Sequence, residues 1–306
     1  MKISRIVLDE VNPITSDICA CIGYFDGLHL GHQALVKRTI ECAKKYKCES
    51  ALITFDPDPW VTIKGIKDIC HLSSLDRRME LAEKLGIEHI ILLDFTKEMS
   101  QLNPQDFLDK ILVPCRIKAL ICGFDFHFGS FGKGDGTFLQ DKAPFEVNII
   151  DCVAEDALKI SSTRITELIQ SGRIKKANRL LGYDYTIDGE VIHGKGKGHS
   201  MGFPTANIAL NKEYIVPKQG VYAGYVELED KPYKAMINIG HNPTFNYRNE
   251  LSIEAYILDF DQDIYTSKVK VAFVYYLRDE EKFESKEALI EQLKKDVVTT
   301  DGVVQL

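Results

Sequence analysis

Apolar positions follow one rhythm up to about residue 182 and another after it. In the first stretch, short runs with few polar interruptions alternate with longer segments patterned at helical spacing. The runs are ICACI (18–22), SALITF (50–55), HIILLD (89–94), IKALICG (117–123) and FEVNIID (145–151), all of strand length. Between them, Gly31 to about Tyr46 reads as a helix. LDRRMELAEKLG repeats Leu75, Met79, Ala82 and Leu85 at a spacing that gives one buried face. Asn103-Pro104 is a cap followed by a first-turn proline, opening a helix through Phe107, Leu108 and Ile111. SSTRITELIQSG starts a helix on hydroxyl residues and ends it at Gly172. Apolar strands separated by amphipathic helices predict a parallel sheet covered on both faces.

After Gly182, TIDGEVIHG, TANIAL, GVYAGYVELED, KPYKAMINIG, LSIEAYILDF and KVKVAFVYYLR are six strand-like stretches separated by turn residues. Asp230-Lys231-Pro232 is the expected hairpin between the third and fourth. A helix follows Ser285, with Leu289, Ile290, Leu293 and Val297 on one side. This grammar predicts a small all-β barrel with a C-terminal helix, and two domains, 1–182 and 183–306.

Composition narrows the function classes. The 306 residues are 45% hydrophobic and 27% charged with a net charge of −7, an ordinary globular balance. An acidic chain is a poor partner for nucleic acid, whose phosphates need clustered cations. No apolar run approaches the roughly 18–20 residues of a membrane span, and the N-terminus lacks the apolar core of a signal peptide. The eight cysteines precede residue 153 without C-x-x-C spacing, as expected of buried thiols in a reducing cytoplasm. The oligomeric state is not legible.

GYFDGLHLGH (23–32) joins the first strand to the first helix. His29 and His32 fall three residues apart at the helix start, where free N–H groups and the helix dipole suit phosphate. Two imidazoles there would donate to phosphate oxygens as charge builds in a transition state. A metal pair or a plain helix cap with solvent-facing histidines are the competing readings. The ten-residue pattern resembles the signature of the nucleotidyltransferase superfamily. More narrowly it is similar to the bacterial bifunctional riboflavin kinase/FMN adenylyltransferase (FAD synthetase) family, with FDPDP (55–59), GFDFHFG (123–129) and ISSTRIT (160–166) following in order.

The resemblance implies a Rossmann-like α/β nucleotidyltransferase fold for the first half. It puts His29 and His32 on the phosphates of ATP, with Ser161, Ser162 and Thr163 holding the triphosphate from the other side. It also marks Gly23, Phe25, Gly31, Asp125 and Arg164 as nucleotide-binding. Asp58, His127 and Thr166 stand where the family usually has histidine, arginine and arginine. Those exchanges remove cations and add an anion, so they weaken the hold on phosphate unless another side chain compensates.

GKGKGHSMGFPTAN (194–207) is a Gly-Lys loop without Walker A order. Gly194, Gly196, Gly198 and Gly202 would let backbone N–H groups approach a triphosphate, with Lys195 and Lys197 adding charge. Alone it reads better as a solvated, flexible hairpin. After Pro204, Thr205 and Asn207 share one face of a strand and present hard oxygen ligands suited to Mg²⁺. GFPTAN, GVYAG (220–224), NIGHNPTF (238–245) and EAYILDF (254–260) resemble the riboflavin kinase signature. That resemblance implies Mg²⁺ and phosphate contacts from Thr205 and Asn207, and Glu254 as base toward the riboflavin 5′-hydroxyl. It marks Arg278 near the flavin, and has His199 and Asn242 where arginine is common. The expected substrates are riboflavin, FMN and ATP. Two alternatives stay open: a riboflavin kinase with a degenerate adenylyltransferase half, and a non-catalytic flavin- or nucleotide-binding regulator.

Overall fold

The apolar runs of the first half fold as neighbouring parallel strands, because each can bury both faces only inside a covered sheet. The computed structural model describes residues 1–66, 69–194, 202–210, 213–241 and 251–306. Internal contacts divide the chain into two units, Met1–Ser162 and Thr163–Leu306.

The first unit is built on β1 (Lys2–Ile6), β2 (Ile18–Ile22), β3 (Glu49–Asp56), β4 (His89–Asp94), β5 (Ile117–Gly123) and β6 (Glu146–Ile150). Their order in the sheet is β1-β4-β3-β2-β5-β6, all parallel. All five residues of β2 are buried, and Ile18, Ile22, Ile53, Ile91 and Leu120 lie in the main core. The helices include α1 (Leu30–Tyr46), α2 (Pro59–Lys64) and α3 (Leu75–Lys84), with further helical segments at 97–100, 104–107 and 136–142. From β2 the chain winds outward through β3 and β4, then crosses back to β5 on the other side of β2. Such a reversal opens a crevice at the carboxyl ends of the central strands.

Three features of this unit depart from the sequence pattern. β1 was not signalled, because it is an outer strand with Ile3 exposed and only Ile6 buried. In α3 the buried residues are Arg78, Leu81 and Ala82, while Leu85 is exposed, so the inward face is rotated around a guanidinium. The cysteines are all free thiols, and Cys70 and Cys152 are exposed rather than buried.

The second unit begins with α4 (its first residue, Ser162, closes the first unit), which runs Ser162–Gln170, and α5 (Ile174–Leu181). A closed antiparallel barrel follows, formed by β7 (Tyr185–Ile192), β8 (Ala206–Leu210), β9 (Gly220–Leu228), β10 (Lys231–His241), β11 (Leu251–Ile257) and β12 (Lys268–Arg278). The order is β7-β8-β11-β10-β9-β12, with β12 returning to β7. Ile187, Tyr222, Ile237, Ile253, Val271 and Phe273 are fully buried. The β9–β10 turn falls at Glu229 and Asp230, both left-handed, with Lys231 and Pro232 already paired in β10. A two-residue turn of that hand matches strand twist, which explains the shift from the expected position. The closing helix α6 (Lys286–Val303) is capped by Ser285, whose hydroxyl accepts from the Ala288 N–H at 3.1 Å.

Candidate active sites

The first site forms where β2 ends at the crevice. Phe25, Gly27 and Leu28 adopt left-handed backbone, turning the chain sharply into α1. Phe25 is buried and meets the His32 ring edge-on at 5.3 Å. His29 is the N-cap of α1, its Nδ1 accepting from the His32 N–H at 3.4 Å, and the two rings stack at 3.7 Å. A Cβ on Gly31 would lie 3.0 Å from the His29 ring, so only glycine leaves that ring in place. His29 is thus a cap, as one competing reading had it, but a buried one. Among the described residues no cluster of three metal ligands exists.

Burial sets the electrostatics of the pair. It pushes the His29 imidazole down to about 4 and holds His32 well below the ordinary histidine value, where His29, Lys159 and Arg78 add repulsion. Both rings are therefore neutral at pH 7, and the His32 Nδ1 is buried without a hydrogen-bond partner. An orphaned buried nitrogen beside a helix start is a prepared contact for an incoming acceptor or donor.

Gly23 donates its N–H to the Ile53 carbonyl at 3.1 Å, tying the turn to β3. Ser162, at the start of α4, donates its hydroxyl to the Asp26 carbonyl at 3.1 Å, so this hydroxyl belongs to the same loop cluster. Ser161 is half-buried next to it, while Thr163 and Arg164 follow in α4, exposed and half-buried. Asp125, just past β5, pairs with Lys159, and both act electrostatically on His29. Lys159 was missed in the sequence although it immediately precedes the ISSTRIT segment. His127 is exposed, its Nδ1 3.0 Å from the Asp125 carbonyl, and Thr166 is half-buried in α4. Asp58 caps α2 through the Trp60 N–H, and its other oxygen lies 3.4 Å from His71 Nε2.

The second site lies on the outer face of the barrel. Ile208, Ile237 and Ile253 point inward, so the residues beside them point out. Asn207 in β8 pairs with Glu254 in β11, and Glu254 pairs on its other side with Asn238 in β10. The three form one row across three strands. Thr205 places Oγ1 3.5 Å from Glu254 Oε2, so the hydroxyl and the carboxylate meet beside the Asn207–Glu254 pair. Asn238, not singled out in the sequence, donates Nδ2 to Glu280 at 3.2 Å. A Cβ on Gly194 would fall 2.0 Å from Asn207 Nδ2, so the loop must approach the row as bare backbone there. Gly202 is left-handed. Lys195, Gly196, Lys197, Gly198, His199 and Asn242 lie outside the described residues. Arg278 donates Nε and Nη2 to Asp296 at 2.9 and 2.8 Å, joining the end of β12 to α6.

Both halves match known families. Residues 11–164 fit the FAD synthetase family model and residues 181–304 the riboflavin kinase model. A bifunctional riboflavin kinase/FMN adenylyltransferase from Listeria monocytogenes is 41% identical over 294 residues, covering 93% of this chain and 94% of the relative. The chain belongs to the bifunctional riboflavin kinase/FMN adenylyltransferase family. The enzyme of that description from Bacillus subtilis is 36% identical over 282 residues, 90% of this chain and 89% of its own. A solved Streptococcus pneumoniae structure described as a macrolide-efflux protein aligns with TM-score 0.89 and 34% identity, covering 97% of this chain and 98% of that one. Among the described residues of this family member, no helix is long and apolar enough to cross a membrane. Its two domains are those of a bifunctional kinase/adenylyltransferase enzyme.

Proposed function

We propose that the protein phosphorylates riboflavin with ATP in residues 183–306, giving FMN and ADP. Residues 1–182 then transfer AMP from a second ATP to FMN, giving FAD and pyrophosphate. The convergence of Thr205, Asn207 and Glu254 on one face carries the kinase half of this reading. Their hydroxyl, carboxamide and carboxylate oxygens are hard donors, the set that fits Mg²⁺. Thr205 and Asn207 would hold the ion that arrives with ATP, which supplies charge neutralisation at the transferred phosphoryl group. Glu254 orients the riboflavin 5′-hydroxyl and accepts its proton, the carboxylate's usual part in phosphoryl transfer. In this reading Arg278 supports the flavin end of the barrel by fixing α6 rather than by charge, since Asp296 occupies its guanidinium.

In the other half, the α1 start and the neutral imidazoles of His29 and His32 meet the triphosphate, with Ser161 and Ser162 beside them. Gly23, Phe25, Gly31 and Asp125 shape and bound that nucleotide site. Preorganised donors of this kind stabilise charge that grows on the leaving pyrophosphate. Both reactions are assigned to the cytoplasm. Incubating the purified chain with riboflavin and MgATP, then separating the flavins, tests the proposal. FMN accumulating first and FAD after it is the expected outcome; absence of both products refutes it.

A further inference from the structure

Arg78 is a cation buried where cations are costly. It is 6% exposed, and its Nε has no hydrogen-bond partner. The guanidinium lies over the Tyr24 ring at 4.5 Å and donates Nη1 to the Tyr24 carbonyl at 2.8 Å. It is close enough to His32 to act on it electrostatically. The buried Asp26 carboxylate acts electrostatically on Arg78, while the unpartnered Nε remains a buried donor that is costly until an acceptor arrives.

His71 acts electrostatically on the same buried carboxylate, Asp26, as Arg78 does. Its Nε2 faces the Asp58 carboxylate at 3.4 Å, and the Tyr24 hydroxyl is 3.4 Å from both ring nitrogens. The backbone that follows His71 is fastened as well. The Leu72 and Ser73 N–H groups donate to Asp26 Oδ1 at 2.9 and 3.2 Å, and the Gly27 N–H donates to Ser73 Oγ at 2.9 Å. The segment carrying His71 is thereby fastened to the loop that carries His29 and His32. Asp58 follows the carboxyl end of β3, while Asp125 and Lys159 stand at the β5 end. The central histidine pair thus has a polar cluster on each side.

We propose that Arg78 and His71 form the acceptor-phosphate subsite of the adenylyl-transfer centre, holding the phosphomonoester of the incoming flavin, with Asp58 and Tyr24 as positioning residues. This rests on the adenylyltransferase reading above. In-line displacement needs the attacking and leaving oxygens on opposite sides of the α-phosphorus. An oxygen of the phosphomonoester dianion uses a lone pair to form the new P–O bond. The bond from the α-phosphorus to the bridging oxygen breaks, and its electrons leave with pyrophosphate. No net proton transfer is required. Arg78 neutralises the attacking dianion, and His71 bridges it to Asp58.

The test is steady-state kinetics of FAD formation from FMN and MgATP with the full chain. His71→Gln and Arg78→Gln should each raise the KM for FMN by about tenfold or more, the scale of one charge-assisted hydrogen bond. The KM for ATP should stay within about twofold, and Asp58→Asn should give a smaller rise in the same constant. Arg78→Lys should recover part of the loss. If Arg78→Gln does not fold, His71→Gln and Asp58→Asn carry the test. A KM for FMN that is unmoved, or a KM for ATP that rises equally, overturns the subsite alone. An unmodified chain that forms no FAD overturns the adenylyltransferase reading, and the subsite with it.

Discussion

The buried histidine pair makes the stability of the first unit depend on pH, in a direction the structure fixes. His29 takes a proton near 6.5 when unfolded but only near 4 when folded, because burial disfavours the imidazolium. A depressed folded value means the contribution is fully present above 6.5 and is lost as pH falls toward 4. Over that window the unfolded chain binds the extra proton, so acid favours unfolding. At about 1.4 kcal/mol per unit of displacement, His29 alone accounts for about 3 kcal/mol between pH 7 and pH 4. That is a sizeable share of a typical domain's stability. His29→Asn keeps a polar cap but removes the titration. The protein has a single tryptophan, Trp60, which lies in α2 of the first unit and is half exposed, so urea unfolding followed by its fluorescence reports on this unit. His89 is also depressed by burial, so the informative quantity is the difference between parent and variant rather than the parent's slope. The parent should lose about 3 kcal/mol more than His29→Asn on going from pH 7 to pH 4. Parallel pH profiles for the two proteins would refute the argument.

The remaining expectations concern activity and the second unit. Glu254→Gln should reduce FMN formation by roughly a hundredfold or more while leaving the circular dichroism unchanged, as loss of a general base does; unaltered turnover would remove Glu254 from that role. His32→Ala should cut FAD formation from FMN by about 10²–10³ and spare the kinase, since it deletes one preorganised donor; equal losses in both activities would contradict separate sites. Asp296→Ala strands the largely buried Arg278 guanidinium and should cost about 3 kcal/mol in thermal or urea unfolding of the second unit. Asp296→Asn, which keeps a hydrogen-bond acceptor, should cost less.

The fold was legible wherever burial repeats with a fixed period. β2 to β5 show as apolar runs because a central parallel strand has no wet face, while the half-buried edge strand β6 and all six barrel strands show as alternation. β1 was invisible for the opposite reason: an outer strand with one buried residue needs only its backbone ladder. The shared face of Thr205 and Asn207 was legible on one strand through i, i+2 spacing, whereas the placing of Glu254 and Asn238 beside them depends on register between strands. Arg78 was hidden because helical periodicity is counted over apolar residues, and a guanidinium on the inward face leaves no mark in that count. Asp58 looked like a bare negative charge in the sequence. Its partner His71 is thirteen residues away and arrives through a loop whose path is set by Asp26, a contact no local pattern encodes.

The two units also treat their outermost strands differently. The barrel returns on itself through β12 and β7, so its ladder has no terminus to offer. The parallel sheet has two, β1 and β6, and an unfinished ladder is a template for any stray strand from another chain. Both termini are guarded by charge. Lys2 and Arg5 on β1 are engaged by Glu49, Asp56 and Asp94, while Glu146 and Asn148 on β6 are engaged by Lys45 and Arg38. A foreign strand would have to strip these pairs before it could dock. Neutralising them therefore exposes the first unit, and not the second, to growth by strand addition.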